Sequence, residues 1–549
     1  MQHVINFLRT VFVLLAALGA LAPTAHAQKS KDTVRFGWRP PISIYGIYLN
    51  PLTENRLVTD AAFDHLISFN NVRQKFENIL AKSWKRIDPK TIEYDLRDDV
   101  LWHDGEKLTA DDVVYTLNWL KDPKVRLRFK RRYSWISSVE KLGTHRLRIV
   151  AKRIVPTDLM RLATSIWVLP EHIFRPLTDK RGFARKPVGT GPYRVTSVDN
   201  NSGIRLLRNE NFKHGSNFYP AASTRNIDLV PAPDEQTRTA MLLTGNIDIF
   251  RAIEHEAVEN IAKEGDRQKV TVAQGQGIVY MTLDAAGRSQ QKALTNTKVR
   301  RAIAMASNRT TLAKSAGVRG TSVPISALCL PLQSGCGYDL KPPNYDPATA
   351  SQLLTEAGFP NGFDLTVTTR RETASVAEAL ASDLQKVGIR ARVVTENRST
   401  FAEKRSDGAL QAQVSFYSAG SFPDASQPAN FFFGNRGRDY ARDSVINSLV
   451  KKGLGTRNPT ERSNIYRQLF SRVNQQNFIL PLSTLPNVYL HHKDVSVPTR
   501  YGNPNGIKFR DLNFDGRIQL VDTPTHDPDE CEEKGKCWVN EECVECKKN

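Results

Sequence analysis

After residue 27 the chain has no long apolar run, so no bilayer-spanning helix is expected in the rest of its 549 residues. The one short apolar run, "VFVLLAALGALA", follows Arg9 and precedes the small-x-small tripeptide "AHA" at 25–27. That order reads as an export signal covering 1–27, with a mature start near Gln28. No cysteine follows the apolar run and no twin-arginine pair precedes it, which argues against a lipid anchor and a twin-arginine route. Hydrolase signatures are missing too. There is no Gly-x-Ser-x-Gly and no His-Glu-x-x-His, and "HEAVE" at 255–259 ends in Glu. "GTGPYRV" at 189–195 lacks the Lys-Ser/Thr of a phosphate loop, and Pro192 removes an amide donor. A tight turn into a strand is expected there. No short-period repeat is present. These absences exclude the common hydrolytic and nucleotide-binding mechanisms, and no resident metal or cofactor is expected.

Acidic residues are in deficit. Lys and Arg number 77 against 57 Asp and Glu, a formal net charge of +20. The bases are spread along the chain, with one denser run, "KDPKVRLRFKRR", at 121–132. An exported protein does not meet nucleic acid, so the charge points to a solvated basic face or to anionic ligands. Cysteines are scarce. Cys329 and Cys336 flank "LPLQSG" and read as a local disulfide stapling a loop in an oxidising compartment. The other four, Cys531, Cys537, Cys543 and Cys546, sit in an acidic tail, 523–549, in which 526–549 holds eight Asp/Glu against four Lys. Two disulfides are favoured there over a zinc site, and their pairing does not follow from spacing.

Histidine is the next candidate for chemistry. In "LWHDGEKLTADDVVYTLNWL", 101–120, His103 and Asp104 precede a further set of carboxylates. The surroundings read as scaffold. "TIEYDLRDDV" alternates as a half-buried strand, Asp104-Gly105 is a turn pair, and Thr109 to Asp112 has capping-box spacing before a helix. His103 has no second ligand at i+4. Strands and amphipathic helices alternate from about 33 to 520, which predicts an α/β fold. Segment 345–395 reads as a strand-helix-strand unit: a helix opened by Asp346-Pro347, a Gly358 stop, the strand "FDLTVTT", a helix through Val376, Leu380 and Leu384, a Gly388 stop and another strand. "VRRAIAMASNRTTLAK" is helical, with its arginines expected on the surface.

Six segments occur in one order: "YDLRDDVLWHDGEKLTADDVVYTLNWL", "GTGPYRV", "LLTGNIDI", "VRRAIAMASNR", "YDPATASQLLTEAGFPNGF" and "DLQKVGIRARV". Together they resemble the extracytoplasmic solute-binding proteins of family 5, the peptide- and nickel-type binding components of ABC importers. The resemblance spans about 33–520. It implies a two-lobed periplasmic binding protein fold with a hinge and an extra subdomain in the first lobe. Lobe I would comprise 28–270 and 492–522, and lobe II 271–491, with crossings near 268–280 and 488–496. It also implies capture of a peptide or peptide-like solute between the lobes, delivery to a permease, no catalysis, a periplasmic location and a monomer.

The same resemblance supplies candidate contacts. Peptide binders of the family carry an acid that pairs with the ligand's amino terminus. Here the matching segment is "FYSAGSFPDASQP", 416–428, and Ser421 stands where that acid would be. A buried ammonium needs a charged partner, which Ser421 does not supply. Asp424 is the nearby substitute. Arg370 and Arg371 occupy the place where dipeptide-type relatives meet a ligand carboxylate. Phe416, Tyr417 and Phe422, with Trp38, Tyr45 and Tyr48, are candidate cleft aromatics, with core packing as the alternative. A missing acid beside arginines favours an anionic or zwitterionic solute, such as a modified peptide, an opine or a sugar-phosphate conjugate. Outside the family pattern, "DLNFDGRIQLVD" places Asp511, Asn513, Asp515, Gly516 and Asp522 at calcium-loop spacing. No helix precedes it, so a terminal strand and turn is expected instead. Two other classes compete: a sensor or adhesion protein acting through the cysteine-rich tail, and an exported hydrolase.

Overall fold

The computed structural model describes residues 32–39, 48, 53–71, 73–127, 130–199, 201–216, 219–253, 255–263, 267–318, 320–331, 333–336, 340–418, 422–499, 506–514, 536–539 and 542–545. The segment 1–27, Tyr45, Ser421, Cys531 and Cys546, and the calcium-spaced Asp515, Gly516 and Asp522 lie outside them.

The chain opens on β1 (Thr33–Trp38), followed by a hairpin of β2 (Ile67–Asn70) and β3 (Lys75–Asn78). A four-stranded antiparallel sheet comes next: β4 (Ala81–Asp88), β5 (Thr91–Leu96), β6 (Ile136–Gly143) and β7 (Arg146–Ala151), in the order β4-β5-β7-β6. The helix Ala110–Lys121 packs on it, burying Val113, Leu117 and Leu120. These elements enclose an aromatic-rich core with Trp102, Trp135 and Trp167. The chain then returns to β1 through β8 (Tyr193–Asp199), β9 (Gly203–Arg208), β10 (Asn226–Pro231) and β11 (Ile249–Ala252).

Two long strands carry the chain onward and back, β12 (Gln268–Leu283) and β16 (Ile479–His492). They pair antiparallel from Gln268↔His492 to Thr282↔Ile479, with irregularities between Ala273 and Gly277 and between Val279 and Tyr280. At one end β16 pairs with β11, and at the other β12 pairs with β15 (Ala412–Ser418). β13 (Asp364–Thr369) lies parallel to both β14 (Arg390–Thr395) and β15. One ten-stranded sheet results, in the order β14-β13-β15-β12-β16-β11-β1-β10-β9-β8. Separate cores cover its two ends, one around Phe36, Ile227 and Ile249 and one around Val367, Leu380 and Val414. The residues that follow β16 return to the first core, where Ile507, Phe509 and Leu512 are buried. The two crossing strands join two α/β lobes.

Local chemistry places these elements as read. Thr109 and Asp112 form the full capping box. Asp346 caps the helix Pro347–Glu356 through the Thr349 amide, and Gly358 and Gly388 take φ of 89° and 84°, the left-handed region that ends helices. A Cβ on Gly189 would overlap the Ala62 carbonyl oxygen, so "GTGPYRV" is a close approach of two backbones leading into β8. One expectation fails: Arg300, in the helix Thr297–Ala306, is buried. Its guanidinium donates to the carbonyls of Leu294, Thr295 and Gln476 at 2.9 Å, capping the C-terminal ends of the 3₁₀ turn Lys292–Thr295 and the helix Pro459–Gln476. Among the described residues no helix is long and apolar enough to cross a membrane.

Candidate functional site between the lobes

In open α/β sheets, ligands meet the carboxyl ends of parallel strands. The ends of β13 and β15 carry Arg370 and the pair Phe416–Tyr417. Arg370 stacks its guanidinium on Phe416, 4.6 Å from the ring centre, and lies 5.8 Å from that of Phe401. Phe401 comes from the helix Arg398–Asp407, which also supplies Arg405, 5.3 Å above the same ring. Arg405 in turn lies 5.9 Å from Phe431 of the helix Ser426–Phe433, and Arg438 covers Phe431 at 4.5 Å. Guanidinium and ring therefore alternate: Arg370, Phe401, Arg405, Phe431, Arg438. Tyr417 packs on Phe431 with ring centres 4.7 Å apart.

The electrostatics of this wall are one-sided. Burial, with only partial relief from Glu372 and with Arg398 and Arg405 nearby, lowers the pKa of Arg370. Partial desolvation and the adjacent Arg405 lower that of Arg438 as well, although its side chain stays exposed at the rim of the wall. The nearest acid to Arg370 is the half-exposed Glu372, 3.9 Å away. Among the described residues no carboxylate lies within 4.0 Å of Arg405 or Arg438, and the Nε atoms of Arg370 and Arg405 are buried without an acceptor. The first lobe adds more positive charge. Arg132 approaches Tyr417, and Arg161 is held down at about 10 by burial and by Arg132. Arg161 lies over the ring of Phe422 at 5.6 Å.

Several candidates belong elsewhere. Asp424 is buried and accepts a two-pronged pair from Arg462 at 2.8 and 2.5 Å, plus the Ser426 amide at 2.8 Å. Burial works against the Arg462 charge, but the Asp424 carboxylate outweighs it and holds the guanidinium above its ordinary range. Asp424 is thus held in an ion pair within the second lobe, and a ligand amine would have to compete with Arg462 for it. Trp38 and Tyr48 are core residues, not cleft aromatics: Trp38 packs beside Phe36, and the Tyr48 hydroxyl donates to the Trp167 carbonyl. Phe422 is buried in the first lobe's aromatic core, so it ties the lobes together. Arg371 is exposed in a short 3₁₀ turn. His103 is scaffold: its Nε2–H donates to the Gly191 carbonyl at 3.0 Å, and its Nδ1 accepts from the Gly189 amide at 3.2 Å. Burial holds it down to about 4. Asp511 and Asn513 are buried in a turn and in a bridge to Ser496, and the described residues hold no metal-ligand cluster.

Of this wall, the sequence offered Arg370, Phe416 and Tyr417 as candidates and did not single out Arg405, Arg438, Phe401 and Phe431. The aromatic run "NFFF" followed by "GNRGR" at 430–438 was the available signal. A hollow of about 340 Å³ elsewhere in the second lobe, lined by Asn308, Arg309, Pro343 and Tyr345, contains none of these groups.

A second contact joins the lobes. Arg457 donates to both oxygens of the buried Asp158 at 3.3 and 3.2 Å and to the carbonyls of Pro89 and Val155. Asp158 also holds Arg86 at 2.9 Å. In the second lobe Cys329 and Cys336 are disulfide-bonded, with Cα atoms 6.1 Å apart.

Two lobes joined by paired crossing strands, with a polar-aromatic wall between them, define a hinged binding protein. Residues 75–439 match the model of the bacterial extracellular solute-binding proteins, family 5, and the chain belongs to that family. It is 24% identical over 484 residues to heme-binding protein A of Haemophilus influenzae, covering 81% of this chain and 85% of that one. It is 25% identical over 442 residues to the glutathione-binding protein GsiB of Escherichia coli K12, covering 77% and 83%. The structure of NikA from Brucella suis with Fe(III)-EDTA aligns with a TM-score of 0.76 at 20% identity, covering 88% of this chain and all of that one.

Proposed function

We propose that this protein is the periplasmic binding component of an ABC importer. It captures an anionic peptide or peptide-like solute between its lobes and hands it to a permease, acting as a monomer and without turnover. Lobe I comprises 28–270 with 492–522, lobe II comprises 271–491, and closure bends β12 and β16 at their irregular pairing. The observation that carries the reading is Arg370, half-buried at the end of β13 on the Phe416 face with its Nε free. A guanidinium short of acceptors suits a carboxylate, and a ring stacked beneath it leaves its terminal in-plane donors available. Phe416 and Tyr417 complete the wall. With Asp424 committed to Arg462, the half-exposed Glu372 is the one carboxylate among the described residues within 4.0 Å of the wall's guanidinium groups, so the carboxylate end of the solute dominates recognition. The glutathione-binding relative is in keeping with this, since glutathione is a peptide with two carboxylates.

Native mass spectrometry of protein purified from its own periplasm tests the reading. The expected spectrum shows one small acidic molecule per chain, lost in Arg370→Ala. A spectrum of bare protein that also binds no carboxylate peptide would overturn it.

A further inference from the structure

Resting on that reading, we infer that the solute carries at least two anionic groups, held on separate rungs of the Arg370–Arg405–Arg438 ladder. A single carboxylate takes one guanidinium fork bidentately. Phe401 separates Arg370 from Arg405, and Phe431 separates Arg405 from Arg438. One carboxylate therefore satisfies one rung and leaves the others. Arg370 and Arg405 each keep a buried Nε without an acceptor, so neither cation is fully compensated within the fold. Ring faces offset only part of the cost of holding these cations close in a partly dry site. Among the described residues Glu372 is the one carboxylate within 4.0 Å of the ladder's guanidinium groups, and it reaches only the Arg370 end, at 3.9 Å. Arg132 near Tyr417 and Arg161 over Phe422 add charge of the same sign from the first lobe. A zwitterion brings no net charge to this wall, and its ammonium would face guanidinium groups. A solute with two carboxylates, or a carboxylate and a phosphate, neutralises both ends and closes the lobes over a balanced site. This makes Arg405 and Arg438 specificity-determining residues for charge number.

Three probes with one backbone separate the cases by titration calorimetry: Ala-Ala, acetyl-Ala-Ala and succinyl-Ala-Ala, carrying zero, one and two net negative charges. The expected order is succinyl over acetyl over the free dipeptide, with at least a tenfold gain for the second carboxylate. Arg405→Ala and Arg438→Ala should each shrink the succinyl-to-acetyl ratio toward one, and circular dichroism should show both variants folded. Ala-Ala binding as tightly as succinyl-Ala-Ala, or a ratio unmoved by either variant, would overturn the inference and leave anionic capture standing. If none of the probes binds, the released native solute decides. Two or more acidic groups by exact mass support the inference, with phosphorus content separating phosphate from carboxylate. Fewer overturn it. A protein that releases nothing and binds nothing fails the cleft reading itself.

Discussion

At the scale of single residues, the second lobe uses arginine in two opposite ways. Arg462 is buried with a carboxylate partner, so its charge is balanced within the fold. Arg370 is half-buried with only Glu372, 3.9 Å away, to offset it, and in the proposed function its charge meets the solute. Removing one member of a buried pair strands the other, at a cost of about 3–5 kcal/mol. Asp424→Asn should therefore lower stability in urea by about that amount while leaving solute affinity of the folded protein within a few-fold. Arg370→Ala should do the reverse: affinity by calorimetry falls tenfold or more, and the urea midpoint moves little. Histidine gives a pH signature. Burial lowers both His65 and His103 to about 4 from an ordinary value near 6.5. The folded state holds them neutral while the unfolded chain protonates near 6.5. Stability is then full above about pH 6.5 and falls as the pH drops toward about 4. In urea titrations across that window, His103→Gln should reduce the slope, because the amide donates to the same carbonyl without titrating. An unchanged slope would mean that His103 is hydrated in the folded protein.

At the scale of elements, what could be read from the sequence follows the range of the forces involved. The capping box at Thr109–Asp112, the Asp346-Pro347 helix start and the Gly358 and Gly388 stops are set by neighbours within four residues, so they were legible. So was the Cys329–Cys336 staple, which closes a short loop. Cys329→Ser should cost about 2–3 kcal/mol, read as a fall in the urea midpoint. Arg300 was misread because its acceptors, the carbonyls of Leu294 and Gln476, include one brought in from 176 residues away. The Asp424 pair was illegible for the same reason: its partner lies on the helix Pro459–Gln476, and nothing in "FPDAS" announces it. The candidate site was half legible. Arg370, Phe416 and Tyr417 sit at strand ends that the family pattern locates, whereas Arg405 and Arg438 reach the wall from a helix and a loop whose approach only tertiary packing defines.

At the scale of the whole molecule, the lobes meet at the crossing strands and again through Phe422 and Arg457. The Arg457–Asp158 contact joins parts of the chain 299 residues apart, and Asp158 keeps Arg86 when Arg457 is removed. Arg457→Ala should therefore fold normally yet shift the lobes toward an open state. Small-angle scattering of solute-free protein should show a larger radius of gyration than wild type, and solute release should speed up with little change in capture rate. An unchanged radius would mean that the crossing strands alone set the lobe angle. The most direct test of the account is a crystal structure of the protein with the solute it carries from its own periplasm. The account predicts density between the lobes, with an acidic group on Arg370 above the Phe416 ring. Density in the hollow beside Asn308 and Arg309, with the wall at Arg370 unoccupied, would contradict it.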